Sequence, residues 1–206
     1  MEELRKHLCM IAKMLDHKGL VSGTDGNISL RIDENTMLIT PSGVNKGMLA
    51  PDMLLIQDFD GTVKEGVLRS SREASLHAGV YRVRADVGAI VHTHPPFATA
   101  YAACGVPVEQ DILIELPAVL GKTQVVPFAA PGSKKLAEFV SACAKDSPSN
   151  LFLLQNHGVI ACGTDLTQAY NRMDALENAA KTIFIAKTAG EVKRIPQEEL
   201  ALLSYE

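Results

Sequence analysis

The chain has 206 residues, 47% of them hydrophobic and 21% charged, which is long for one small domain, short for two, and enough for one sizeable core. Its 20 basic and 24 acidic residues leave a net charge of −4, which argues against a nucleic-acid surface as the main partner. No compositionally biased tract interrupts it, and no apolar stretch is long enough to cross a membrane.

The opening residues, Met1 to Lys6, are charged and lack the apolar core of a signal segment, so the expected location is the cytoplasm. Leu4, Leu8, Ile11, Ala12 and Leu15 fall at helical spacing and predict an amphipathic helix over residues 2–17, with Gly19 suited to its stop. The glycine-rich run Ser22-Gly23-Thr24-Asp25-Gly26-Asn27-Ile28-Ser29 leads into a strand, Ile28 to Ile32. Glycines let backbone amides approach a ligand, and Asn and Ser add short donors; the plain alternative is an ordinary turn. Thr36 to Thr40 reads as a strand ended by Pro41-Ser42-Gly43. Leu54 to Gln57 is another, with Asp60-Gly61 as a hairpin turn before the return at Thr62-Val63.

Ser70 and Glu73 match a capping box opening a helix that carries Leu76, His77, Val80 and Tyr81. Glu73 therefore has two readings, one as a helix cap and one as a carboxylate placed by a helix N-terminus, where anions are attracted. His77, one turn after Glu73, reads as a packing or hydrogen-bonding residue and not as a ligand. The apolar run Val87 to Val91 predicts a buried strand that ends in His92-Thr93-His94-Pro95. Alternation along a strand points His92 and His94 the same way, and Pro95 removes a backbone donor. Two imidazoles on one rigid strand end supply two-thirds of a catalytic zinc site, which takes three protein ligands and leaves one position open. The plain alternative is a pair of partly exposed histidines.

Phe97 to Cys104 predicts a helix. Ile112 to Leu116 and Gln124 to Phe128 are strand candidates. Pro131-Gly132-Ser133 opens a helix bearing Leu136, Phe139, Val140 and Cys143. Leu151 to Leu154 is a buried strand running into Gln155-Asn156-His157-Gly158, and Val159 to Cys162 is a further strand. Asp165 or Thr167 starts the last long helix, with Ala169, Met173, Leu176, Ala180, Ile183 and Phe184 among its apolar positions. His157 stands at a strand end before a glycine, as His94 stands before a proline, and makes a three-histidine site conceivable once the fold joins them. The four cysteines, Cys9, Cys104, Cys143 and Cys162, form no close pair, so they read as small core hydrophobes in a reducing compartment.

Taken together, Gly23-Thr24-Asp25-Gly26-Asn27-Ile28-Ser29, Thr40-Pro41-Ser42-Gly43, Glu73 with His77, His92-Thr93-His94 and Asn156-His157-Gly158 resemble the class II aldolase/adducin family, with the nearest likeness to its L-fuculose-1-phosphate aldolase branch. The resemblance implies an α/β fold, a single three-layer α/β/α sandwich over residues 1–206 with a central, mainly antiparallel sheet. It implies one Zn²⁺ per subunit, held by His92, His94 and His157, with Glu73 at the metal as acid/base. It implies a phosphate pocket built from Gly26, Asn27, Ser42, Gly43 and Ser71, and a cyclic homotetramer with the active site between adjacent subunits.

The implied reaction is cleavage of a ketose phosphate to dihydroxyacetone phosphate and an aldehyde through an enediolate. The alternatives on the same fold are a pentulose-5-phosphate 4-epimerase, a sugar-acid phosphate decarboxylase or dehydratase, and a non-catalytic module like the adducin head. Two features depart from the family pattern. Arg72 stands where a second phosphate-contacting Ser is common, and its guanidinium suits phosphate or a carboxylate. The catalytic Tyr that the branch carries between its second and third histidines has no counterpart, since Tyr101 is misplaced. Tyr205 in the tail is a candidate to reach a neighbouring site but has no match in the family pattern.

Overall fold

The structure, a computed structural model, describes residues 1–145 and 147–203; Tyr205 lies outside the described residues. The chain opens with α1 (Glu2–His17), which buries Leu8, Ile11, Ala12 and Leu15 as their spacing predicts. A meander follows: β1 (Asn27–Arg31), β2 (Thr36–Ile39), β3 (Leu55–Asp58) and β4 (Val63–Glu65). The expected hairpin at Asp60-Gly61 is formed, with Gly61 at φ 103° and the Asp58 amide donating to the Thr62 carbonyl at 2.9 Å. Then come α2 (Ala74–Val83), β5 (Ala89–Thr93), α3 (Pro96–Cys104), β6 (Thr123–Val126), α4 (Lys134–Lys145), β7 (Leu151–Leu154), β8 (Gly158–Gly163), α5 (Leu166–Ala189) and the short α6 (Gln197–Leu200).

The strands form one eight-stranded sheet in the order β4-β3-β2-β1-β5-β8-β7-β6. Every pair is antiparallel except β6 with β7. A parallel pair needs a crossover, and α4 supplies it. Alternation along the strands divides the apolar residues into two cores. Ile28, Ala89, Val91, Val159 and Ala161 face one side and pack under α1, α3 and α5, while Ile90, Phe152, Ile160 and Cys162 face the other and pack under α2 and α4. The result is the expected three-layer α/β/α sandwich. No described helix is long and apolar enough to cross a membrane.

One element differs in kind from the reading of the sequence. Residues 112–116, expected as a strand, do not join the sheet; Leu116–Leu120 closes a single π-helical turn. Pro117 has no N–H to offer a ladder, and Leu116 and Leu120, four apart, both turn inward and are buried. Their spacing satisfies one helical turn better than an alternating strand.

Arg31 fastens α2 to the sheet. Its Nε donates to the Val87 carbonyl at 2.9 Å, and its Nη2 donates to the carbonyls of Tyr81 at 2.6 Å and Arg84 at 2.8 Å. One side chain from β1 thus holds the end of α2 and the approach to β5 together.

Of the two candidates for the start of α5, Asp165 is the cap: its Oδ1 accepts from the Gln168 amide at 2.8 Å. Asp165→Ala should lower unfolding stability by about 1 kcal/mol and Asp165→Asn by much less. Chemical denaturation of both variants is the measurement, and equal midpoints would reassign the cap.

Candidate metal and substrate site

β5 lies between β1 and β8, and its register fixes the site. His92 sits opposite Asn27 on β1 and opposite Ile160 on β8. His92 therefore points to the α2 side of the sheet with Ile90, and its side chain is wholly buried. His94 follows on the same face. His157 arrives from the turn between β7 and β8. Asn156 there has φ 55°, a left-handed conformation that asparagine tolerates better than most residues, and the His157 amide donates to the Leu154 carbonyl at 3.0 Å. The three rings stand in a near-equilateral triangle with centroids 4.9–5.1 Å apart, each pair steeply inclined. One nitrogen from each ring lies within 4.8 Å of the other two.

Two glycines allow this approach. A Cβ on Gly158 would fall 2.4 Å from Cδ2 of His94 and 2.7 Å from the Thr93 carbonyl oxygen. A Cβ on Gly26 would fall 2.7 Å from the His92 carbonyl oxygen, and Gly26 also holds φ +72°. Gly26 was expected to admit a ligand to its backbone; its close neighbour is the strand that carries His92.

Glu73 completes the cluster. Its carboxylate oxygens lie 3.2 Å from Nε2 of His92 and 3.3 Å from Nε2 of His157, and Oε2 accepts from the Asn27 side-chain amide at 2.9 Å. The capping box is not formed. Glu73 occupies the N-cap position of α2 but makes no side-chain cap bond. Its own amide donates to the Ser71 hydroxyl at 3.2 Å, while Ser70 is bound to Gln57 and bridged to Pro41. The carboxylate is released from its helix and turned into the site. Asn27, expected at the phosphate, instead holds this carboxylate.

The electrostatics follow from burial and from these neighbours. Burial raises the cost of charge on every imidazole. His157 is pushed down to about 4 by burial and then by repulsion from His92. His94 is lowered for the same two reasons. For His92 burial also opposes charge, yet the Glu73 carboxylate outweighs it and raises the ring above its ordinary value. Burial acts to raise Glu73 too, but His92, His157 and the Asn27 amide together hold it well below the usual carboxylate range. His77 is fully buried, is pushed down to about 3 by burial and by His92, and shares a 2.6 Å contact between its Nδ1 and the Ser29 hydroxyl. It is the packing and hydrogen-bonding residue that its sequence position indicates.

Nε2 of His92, Nε2 of His94, Nδ1 of His157 and Oε1 of Glu73 are buried without a hydrogen-bond partner. Nδ1 of His92 lies 2.9 Å from the Val159 carbonyl. Donating its proton there fixes the tautomer that leaves the Nε2 lone pair facing the cluster. Buried polar atoms are normally paired, and three imidazoles that each keep an unpaired buried nitrogen and bring one nitrogen within 4.8 Å of the other two rings fit a metal ion.

The cluster opens into a cavity of about 330 Å³ walled by Thr24, Asp25, Gly26, Ser42, Gly43, Ser71, Arg72 and Pro131, with Glu73, His94 and His157 at its base. Of the residues expected at a phosphate, Gly26, Ser42, Gly43, Ser71 and Arg72 meet here and Asn27 does not. Sequence reasoning passed over Asp25, whose Oδ2 lies 3.7 Å from Nδ1 of His94, and Pro131. The signal for Asp25 was its place between two glycines of the first loop; Pro131 carried none.

A sandwich of this topology with three histidines and a glutamate at the end of its central strands defines a class, and comparison with known proteins identifies it. Residues 6–184 match the model of the class II aldolase and adducin N-terminal domain, and the chain belongs to the class II aldolase/adducin family, a family that includes aldolases and decarboxylases. It is 33% identical over 175 residues to an L-fuculose phosphate aldolase of Methanococcus maripaludis, covering 85% of this chain and 93% of that protein. It is 33% identical over 205 residues to a 3-oxo-tetronate 4-phosphate decarboxylase of Escherichia coli K12, covering 94% and 95%. The crystal structure of a candidate aldolase/epimerase/decarboxylase from Escherichia coli superimposes with a TM-score of 0.90 at 30% identity, covering 99% of both chains.

Gly158→Ala should displace the His94 ring and weaken metal binding at the three-histidine cluster by roughly 10- to 100-fold, the range found when groups that orient ligands are changed. Titration against a chromogenic chelator measures this. Wild-type affinity in a folded variant would show that the ring yields without consequence.

Proposed function

We propose that the chain is a zinc-dependent lyase of the aldolase type, cleaving a ketose phosphate related to L-fuculose 1-phosphate into dihydroxyacetone phosphate and an aldehyde. The observation that carries this reading is a carboxylate, free of any capping role, set against two imidazoles at the base of a cavity whose other wall bears hydroxyls and glycines. His92, His94 and His157 would hold the zinc, and three neutral imidazoles suit that ion with a position left open. When bound, zinc supplies Lewis-acid polarisation of the substrate carbonyl.

The remaining work falls to the chain. Retro-aldol cleavage between C3 and C4 turns the C4 hydroxyl into a carbonyl and leaves an electron pair on C3 that must be protonated. Glu73, ionised at rest, accepts a proton and returns it to carbon; in the synthetic direction it removes that proton. The Asn27 amide keeps Oε2 occupied, so Oε1 is the freer oxygen for transfer. Ser42 and Ser71 offer hydroxyls to the phosphate, and Gly43, at φ +76° with open space where a Cβ would stand, leaves its backbone accessible.

One observation favours a second reading. Arg72 is exposed on the cavity wall, and a guanidinium fork pairs with a carboxylate in two parallel hydrogen bonds. A 3-oxo sugar-acid phosphate would present that carboxylate, and C–C cleavage would then release carbon dioxide. The E. coli decarboxylase relative spans nearly the whole chain.

The test is product analysis of zinc-loaded protein, following dihydroxyacetone phosphate from ketose 1-phosphates and carbon dioxide from 3-oxo-acid phosphates. Glu73→Gln should lower kcat about 100- to 10,000-fold on the accepted substrate while melting temperature and zinc content hold. A folded, zinc-loaded Glu73→Gln protein with wild-type turnover would remove Glu73 from the chemistry.

Arg72→Ser separates the two readings. If the substrate carries a carboxylate, loss of the charge-assisted contact should cost about 1.5–3 kcal/mol in kcat/KM. A ketose phosphate lacking one should be affected far less. An equal loss on both substrate types would place Arg72 at the phosphate they share.

A further inference from the structure

We propose that Lys46 is a positioning residue of the cavity: a buried ammonium that ties the glycine loop at 22–26 to the glycine loop at 41–45 and thereby sets affinity for the substrate's phosphate. The inference rests on reading this cavity as a phosphate site, and the experiment below separates the two.

Lys46 is 1% exposed, although lysine is rarely buried without a partner. Its partners are two carbonyls. Nζ donates to Thr24 O at 3.0 Å and to Val44 O at 2.9 Å. Among the described residues no carboxylate lies within ion-pair distance of it. Burial pushes its pKa down to about 8, with Asp25 acting in the opposite direction, so the ammonium is largely kept at neutral pH.

The two acceptors belong to the two loops that wall the cavity, since Thr24, Asp25 and Gly26 come from one and Ser42 and Gly43 from the other. Each loop turns at a glycine with positive φ, Gly26 at +72° and Gly43 at +76°. The second is pinned at its start, where the Ser42 amide donates to the Arg69 carbonyl at 2.9 Å and Pro41 bridges to Ser70, and Lys46 adds the link from there to the first. Carbonyl oxygens committed to Lys46 are oxygens not presented to an anion. Lys46 is also fixed from its own side. Asn45 accepts from the Gly47 amide at 2.8 Å, and a Cβ on Gly47 would meet Asp16 Oδ2 at 2.3 Å, so the turn delivering Lys46 is pressed against α1. Lys46 is absent from the cavity wall and acts through the loops.

The experiment is calorimetric titration of the zinc-loaded full chain with inorganic phosphate, in wild type, Lys46→Met and Lys46→Gln, with melting temperature and zinc content beside each. Lys46→Met should weaken phosphate binding about tenfold or more, the scale of losing charge-assisted hydrogen bonds, with zinc content unchanged. Lys46→Gln, which keeps a donor, should recover part of the loss. Where turnover is available, KM for the phosphorylated substrate should rise and kcat should hold. Wild type that binds no phosphate would remove the phosphate reading itself. Folded, zinc-loaded variants with wild-type phosphate affinity would overturn the role of Lys46 alone. Failure of both variants to fold would also overturn it, making Lys46 a residue of folding.

Discussion

The register of β5 between β1 and β8 governs everything in the site. Side chains on a strand alternate with a period of two, so a slip of one residue would carry His92 to the α5 side and bring Thr93 in its place. The slip is opposed from both sides of the sheet at once. Ala89 and Val91 are needed under α1, α3 and α5, and Ile90 is needed under α2 and α4. The same ladder puts Asn27 beside His92 and Ser29 beside His77, so β1 supplies the polar groups that α2 then meets. The polar cluster is thus held in place by the packing of apolar residues on the same strands.

The cluster is a case of buried charge arranged to be useful. A carboxylate in the protein interior is costly unless something opposite in sign or rich in donors faces it. Glu73 has Asn27 and the edges of two imidazoles. The imidazoles are each short of a partner, and burial disfavours a charge on all three, although at His92 the Glu73 carboxylate outweighs it. Metal binding needs lone pairs exposed and protons displaced, a state to which His94 and His157 are already biased. The orientation of His92 by the Val159 carbonyl means that the tautomer is decided by the β5–β8 ladder and not by the contents of the cavity.

Much of this was legible in the sequence, for identifiable reasons. Helix α1 and the four-strand meander followed from simple periodicity and turn chemistry. His92, His94 and His157 stood out because each ends an apolar run. The failures have different causes. The spacing of Ser70 and Glu73 satisfied a capping box, but Gln57 and Pro41 claimed Ser70 and the histidines claimed Glu73; those contacts come from distant strands. Residues 112–116 had the composition of a strand, yet Pro117 and the burial of Leu116 and Leu120 favoured a π turn. The family resemblance implied a phosphate role for Asn27, whereas pairing with β5 turns its amide to Glu73. Lys46 offered no signal, since a lone lysine in a loop reads as solvated until its two carbonyl partners are seen.

The order of strands divides the molecule in a way that bears on how it forms. Strands β1 to β5 come from the first half of the chain and β6 to β8 from the second, and the β5–β8 ladder is the join. That ladder pairs Thr93 with Val159 and Ala89 with Gly163, contacts far apart along the chain whose closure entropy must be met before they give anything back. Asn27, Glu73, His92 and His94 lie on one side of the join and His157 on the other. Neither half contains the site, and the helices α2 and α4 also pack across the join. The three-histidine cluster is therefore complete only once the two halves have docked.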